Sequence, residues 1–273
     1  MKTFQGSTAL VTGASKGLGV AYATELARRG ARLVLVARSR DALEELAVRL
    51  RERHGTTVDV IPADLGDPAG PARVVAELDG RGIEVDLLVN NAGLGSVGPF
   101  LDRPLEQHLL SVDVNVGGLL ALTHLIGGRM LTRGSGGIVN VASTAAFQPM
   151  PYQSSYAATK AFVLSFSEAL ASELRGSGVV VMAAHPGGIS TGFFDGTTAT
   201  IDPRFADTPE RIAVRTLDDF ARGRHASYPG RAATRVATVV PRLLPRRTTA
   251  SLVGRLNRWL GFDRVSDVDA PAR

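Results

Sequence analysis

The chain contains no cysteine, which excludes disulfides, thiolate metal ligands and a cysteine nucleophile and accords with a reducing, cytoplasmic setting. It has no run of about 18 uninterrupted apolar residues, so no membrane-spanning helix is expected. Residues Met1 to Ser7 hold no apolar stretch long enough for a secretion signal. Internal repeats and low-complexity linkers are missing as well, which favours one domain. Lysine is scarce: three of the 31 basic residues are lysines, and two of these, Lys16 and Lys160, fall inside the motifs described below. Acidic residues are absent from Arg222 to Phe262, a stretch with nine arginines, so the rest of this +5 chain is net acidic. His54, His108, His124, His185 and His225 are too scattered for a metal site. No nucleic-acid motif accompanies the charge, so nucleic acid is not an expected partner.

What is present is a chain of 273 residues, 44% hydrophobic, long enough to bury a large core. Short aliphatic runs alternate with longer helical patterns, the signature of βαβ units feeding a parallel sheet. Strands are expected at Thr8 to Thr12, Arg32 to Ala37, Thr57 to Ala63, Leu87 to Asn90, Gly137 to Ala142 and Val179 to His185, with a weaker one at Ala226 to Tyr228. Helical spacing marks Gly19 to Arg29, Arg40 to Arg53, Pro71 to Leu78, Leu105 to Arg133 and Tyr156 to Arg175. Gly30, Gly55 and Gly176 stand at helix stops, and a further helix starts at Thr208 with Pro209 in its first turn. The expected fold class is α/β: one doubly wound parallel sheet of about seven strands, flanked by helices, with a C-terminal helical extension.

The segment Thr12-Gly13-Ala14-Ser15-Lys16-Gly17-Leu18-Gly19 joins the first strand to the first helix. Glycines there permit a tight turn and close approach of a pyrophosphate, which the free N–H groups of the helix N-terminus attract. At the end of the second strand, where an acidic residue would bond a ribose 2′-hydroxyl, the chain has Ala37 followed by Arg38. An arginine there suits a 2′-phosphate, and Lys16 adds a second charge, so NADP(H) is the expected cofactor. Tyr156 and Lys160 lie four apart on one helix face. A neighbouring ammonium would lower the tyrosine pKa and make Tyr156 an acid for a carbonyl oxygen that gains charge as hydride arrives. Ser143, at the end of the fifth strand, can donate a hydrogen bond to that oxygen.

Together, Gly13/Gly17/Gly19, Asn90-Asn91-Ala92-Gly93, Asn115, Ser143, Tyr156/Lys160 and Pro186-Gly187 resemble the short-chain dehydrogenase/reductase family over residues 4 to 230. The resemblance implies a Rossmann-type catalytic domain in residues 1–230 and oxidoreductase chemistry exchanging a carbonyl for an alcohol. It implies a catalytic set of Asn115, Ser143, Tyr156 and Lys160, with Lys160 on the nicotinamide ribose and Asn115 holding a relay water. It assigns cofactor contacts to Gly13, Ser15, Lys16, Gly17, Leu18, Gly19, Arg38, Asp64, Leu65, Asn91, Gly93, Tyr156, Lys160, Pro186, Gly187, Ile189 and Thr191. Homodimers or homotetramers are the family's usual states.

Loops at the carboxyl ends of the strands should build the substrate pocket. Leu94, Phe147, Met150, Tyr152, Phe193 and Phe194 there point to a bulky, largely apolar ketone, aldehyde or secondary alcohol. Residues 231–262 show two short helical patterns separated by Pro241 and Pro245, the second striped by Leu252, Val253, Leu256 and Leu260 and bordered by arginines. Such a basic amphipathic segment covers a core, docks a subunit, caps a substrate entrance or touches an anionic membrane surface peripherally. Residues 263–273 are expected as a frayed tail. The competing class is an NADP-binding sensor or scaffold without turnover, against which the complete Ser143, Tyr156 and Lys160 set argues.

Overall fold

The structure, a computed structural model, describes residues 3–190, 197–199 and 206–266. Seven strands form one sheet: β1 (Thr8–Thr12), β2 (Arg32–Ala37), β3 (Val58–Pro62), β4 (Leu87–Asn90), β5 (Gly136–Val141), β6 (Val179–Ala184) and β7 (Ala226–Ser227). Every pairing is parallel, in the order β3-β2-β1-β4-β5-β6-β7. The strands read as near-continuous aliphatic runs because helices cover both faces of the sheet. One face packs on α1 (Gly17–Arg28), α2 (Arg40–His54) and α7 (Pro209–Ala221), burying Tyr22, Leu26 and Leu43, with Phe220 over Gly137 of β5. The other packs on α3 (Gly70–Gly80), α5 (Leu119–Arg133) and α6 (Ser154–Glu173) through Val74, Leu78, Leu122, Ile126 and Met130.

Local signals account for the helix ends. The Ser39 hydroxyl accepts from the Ala42 N–H to cap α2, which stops at Gly55 in the left-handed region (φ 62°). Thr208 caps α7 in the same way, with Pro209 at the first helical position. The run 105–133, expected as one helix, is divided. Helix α4 (Leu105–Val112) passes into a π turn at Asp113–Gly118 before α5 begins. Although the run is long and apolar enough to cross a membrane by composition, α5 lies on the sheet and buries Leu119, Leu122, Ile126 and Met130 there.

The strand order reverses between β1 and β4, which opens a crevice above their carboxyl ends. A buried polar chain fixes its floor: Asn90 donates to Thr123 Oγ1 (3.0 Å) and Asn140 Oδ1 (2.9 Å), and Asn140 donates to Ser167 Oγ (2.9 Å). This ties α5, β4, β5 and α6 together at one level, with each buried amide satisfied.

The extension differs in detail from its expectation. Pro241 does not separate two helices but lies inside α8 (Ala232–Leu243). The break falls at Leu244 and Pro245, after which α9 (Arg246–Trp259) begins. Pro241 cannot donate to the carbonyl four residues before it, and the helix ends two residues later, at Leu243. Residues 263–266, expected to fray, continue the fold: Phe262–Arg264 form a 3₁₀ turn, and Phe262 and Val265 bury against Val97.

Candidate active site

The turn between β1 and α1 is shaped by backbone contacts that leave no room for side chains. A Cβ on Gly19 would lie 2.1 Å from the Gly13 carbonyl oxygen, and one on Gly13, where φ is 65°, would lie 2.8 Å from Ala92 Cα. The Thr12 hydroxyl accepts from the Asn91 and Ala92 N–H groups (3.0 and 2.9 Å), and Asn91 Nδ2 donates to the Thr12 carbonyl (2.9 Å). Asn90 thus braces the sheet while Asn91 braces the turn, and both leave the crevice open.

A cavity of about 820 Å³ fills this crevice. Its wall includes Gly13, Ser15, Lys16, Gly17, Leu18, Arg38, Asp64, Leu65, Asn91 and Gly93 from the ends of β1 to β4. Ser143, Tyr156, Lys160, Pro186, Gly187 and Ile189 follow, from the ends of β5 and β6 and from α6. A dinucleotide suits this wall. The first turn of α1 carries no acidic residue, its N-cap Lys16 makes no side-chain cap, and the side-chain-free turn allows phosphate oxygens close to the N–H groups. Arg38 is exposed at the rim, where a guanidinium can reach a 2′-phosphate.

Ser143 caps a 3₁₀ turn, Thr144–Phe147, by accepting from the Ala145 N–H (3.1 Å), and its hydroxyl is hydrogen-bonded to Tyr156. Burial pushes the Tyr156 phenol above its ordinary value, and the Ser143 bond pulls it part of the way back. The lowering expected from Lys160 does not outweigh burial. The ammonium lies 5.9 Å from the Tyr156 ring centroid and is itself pushed down to about 8 by burial. Lys160 Nζ donates to the Val141 carbonyl at 2.7 Å. At neutral pH the pair is therefore a neutral phenol beside a mostly charged ammonium.

Asn115 sits in the π turn and clamps Leu94. Its Oδ1 accepts from the Leu94 N–H (2.8 Å), and its Nδ2 donates to the Leu94 carbonyl and Thr159 Oγ1 (2.9 Å each). Gly93 passes close by: a Cβ there would be 3.2 Å from Asn115 Oδ1 and 3.4 Å from Lys160 Nζ.

Of the pocket residues expected from sequence, Leu94 and Met150 line the cavity. Phe147 and Tyr152 do not. Phe147 turns toward His185 (centroids 5.0 Å apart) and Tyr228, with the Arg242 guanidinium 4.6 Å from its ring. Tyr152 has φ 68° and packs on Val97, Phe262 and Val265. A loop carries no periodicity to say which way such rings point. Thr191, Phe193 and Phe194 lie outside the described residues. Leu256, Asn257, Leu260 and Phe262 also wall the cavity. Sequence reading gives the first and third of these to a stripe, with a cap on the substrate entrance as one of its roles, and does not single out Asn257 or Phe262. They arrive because Asn257 Nδ2 donates to the Pro151 carbonyl (2.8 Å), fastening α9 beside the pocket loops. Among the described residues no cluster of His, Asp or Glu could hold a metal ion.

A family model described as short chain dehydrogenase matches residues 7–202. The very-long-chain 3-oxoacyl-CoA reductase of Anas platyrhynchos is 34% identical over 217 residues, which cover 78% of this chain and 69% of that protein. A short-chain dehydrogenase from Sphingobium yanoikuyae, solved in complex with NADPH, is 32% identical with a TM-score of 0.77, covering 98% of this chain and 99% of that one. The bulky-bulky ketone specific alcohol dehydrogenase from Comamonas testosteroni is 30% identical with a TM-score of 0.74, covering 97% of each chain.

Proposed function

The chain belongs to the short-chain dehydrogenase/reductase family of oxidoreductases, and on that premise we propose that it is an NADPH-dependent reductase of bulky, largely apolar ketones and aldehydes, or oxidises the matching alcohols. The observation that carries this reading is one cavity walled by the glycine turn and Arg38, by Ser143, Tyr156 and Lys160, and by apolar Leu94, Met150, Leu256, Leu260 and Phe262. The NADPH complex of the Sphingobium yanoikuyae relative supports the cofactor. The bulky ketone enzyme and the very-long-chain 3-oxoacyl-CoA reductase both support a large apolar carbonyl substrate.

Ser15, Leu18 and the α1 N-terminus would hold the pyrophosphate, Lys16 and Arg38 the 2′-phosphate, Asp64 and Leu65 the adenosine side, and Asn91, Gly93, Pro186, Gly187 and Ile189 the nicotinamide half. The bound nicotinamide supplies the hydride. Ser143 orients the substrate carbonyl, and Tyr156, kept protonated by its buried setting, gives its proton to the carbonyl oxygen. Lys160 stabilises the phenolate that remains. The Asn115 side chain is occupied by Leu94 and Thr159, so its part is to hold the loop after β4 against the π turn and α6. The exposed stripe Leu105, Leu109 and Val112 on α4, beside Phe162 on α6, is the face we assign to a homodimer.

The test follows NADPH consumption across apolar ketones, aldehydes and 3-oxoacyl thioesters, with NADH and Tyr156→Phe in parallel. Turnover should prefer NADPH and fall by roughly 10²–10⁴ in Tyr156→Phe. Turnover indifferent to Tyr156 refutes the mechanism. Tight NADPH binding with no turnover on any substrate moves the reading to a sensor.

A further inference from the structure

Helices α8 and α9 carry their apolar sides outward. On α8, Thr238 is buried, whereas Val236, Val239, Val240 and Leu243, spaced i, i+3, i+4 and i+7, are 47–79% exposed. On α9 the buried residues are Thr249, Gly254 and Asn257, with Gly254 against Pro151. Leu252, Leu256, Trp259 and Leu260, at i, i+4, i+7 and i+8, form a second apolar stripe, 48–79% exposed. Leu252 and Trp259 of this stripe face away from the protein, whereas Leu256 and Leu260 stand at the edge of the cavity whose wall they share. Two consecutive helices presenting eight large apolar side chains make a surface that water does not stabilise.

The charge around these stripes is of one sign. Arg235 and Arg242 lie over the Tyr228 and Phe147 rings (5.6 and 4.6 Å), and Arg246, Arg247, Arg255 and Arg258 are exposed. Among the described residues none of those last four forms an ion pair. No aspartate or glutamate occurs between residues 222 and 262.

We infer that the α8–α9 face docks on an anionic lipid surface, with the two stripes at the boundary between headgroups and acyl chains. A second copy of this chain fits poorly, because a two-fold contact through this face would set arginines against arginines with no carboxylate between them. An anionic bilayer meets both features, supplying negative headgroups for the arginines and hydrocarbon for Val, Leu and Trp side chains. Leu256 and Leu260 belong both to the outward stripe and to the cavity wall. Docking therefore brings the mouth of the cavity to the surface from which an apolar substrate would enter. The docking stands on the exposed face alone; only its link to substrate entry rests on the proposed function.

Trp259 is the only tryptophan of the chain, so its emission reports insertion without labelling. The full-length protein is mixed with phosphatidylglycerol/phosphatidylcholine vesicles and with pure phosphatidylcholine vesicles. A blue shift and co-sedimentation are expected with the anionic vesicles only, weakening as salt is raised. Each arginine near such a surface is worth about fivefold in partition, so Arg246→Glu/Arg247→Glu should bind at least ~25-fold more weakly. Leu243→Asp/Leu252→Asp should lose the shift and keep its thermal stability and soluble turnover. Absence of a shift with anionic vesicles, or equal binding to neutral ones, overturns the inference. So does a lipid-free, concentration-dependent shift with doubled molar mass that Leu243→Asp/Leu252→Asp abolishes, since a second copy is then the occupant. Vesicle binding by a chain without turnover supports the docking and refutes the proposed function instead.

Discussion

Adding a single methyl group to Gly19 should cost this protein its cofactor, whereas the same change at Gly128 should stabilise it. At Gly19 the new Cβ would lie 2.1 Å from the Gly13 carbonyl oxygen, 2.7 Å from its carbon and 2.8 Å from Asn91 Nδ2. Reaching ordinary contact requires the turn to move by roughly 1 Å, and backbone cannot rotate out of the way as a side chain can. That turn positions the N–H groups that would meet the pyrophosphate. A displacement of this size in a binding constellation costs about 10²-fold, on top of about 1–3 kcal/mol of overpacking. Gly128 is exposed within α5 and a Cβ there meets nothing within 4 Å. Gly128→Ala should gain roughly 0.5–1 kcal/mol from helix propensity, a rise of about 1–4 °C in Tm for a chain of this size. NADPH titration by fluorescence and thermal unfolding measure both variants. NADPH affinity within threefold of the parent in Gly19→Ala would refute the assignment of this turn to the pyrophosphate.

Three further outcomes follow from the site and the sheet. Arg38→Asp should weaken NADPH binding by roughly ten- to a hundredfold, the worth of a charge-assisted hydrogen bond, and improve the NADH to NADPH ratio; unchanged selectivity in steady-state kinetics would remove Arg38 from the 2′-phosphate. Burial holds Lys160 at about 8 in the folded state, below its ordinary value of 10.5, so between these it is deprotonated in the folded chain while the unfolded chain stays charged, and stability rises with pH across that window. Urea unfolding at pH 7 and pH 9.5 should show the parent gaining roughly 2 kcal/mol relative to Lys160→Met, and parallel pH curves for the two would contradict the buried ammonium. Asn140→Leu removes the acceptor for Asn90 and the donor to Ser167 and should destabilise the fold by about 1–3 kcal/mol, whereas a neutral urea midpoint would mean that the buried chain is dispensable.

The limits of β1, β2 and β4 were legible in the sequence because each is an aliphatic run bounded by turn residues. Ser143, Tyr156 and Lys160 were singled out by their spacing and by the family resemblance, and the structure gathers the three on one cavity wall. The π turn was not, since an apolar-periodic run of this length reads as one helix and a single extra residue per turn leaves little trace in periodicity. Hydrophobicity alone assigns Phe147 and Tyr152 to the pocket, whereas an edge-on ring contact with His185 and a left-handed backbone at Tyr152 turn them elsewhere. For α9 the period disclosed a stripe but not which side it faces. The Asn257 bond to Pro151 and the close fit of Gly254 against that proline decide the orientation, and neither is visible before the loop is in place.

The π turn leaves the buried face of the rod continuous. His108, Ser111 and Asn115 before its end and Leu119, Leu122, Ile126 and Met130 after it follow one another at steps of three or four, the spacing of one helical face. The wider turn is confined to Asp113–Gly118, so its effect is local: it carries the Asn115 side chain to Leu94 while the row that packs on the sheet keeps its place. The same rod thus serves the core along its length and the site at one turn only.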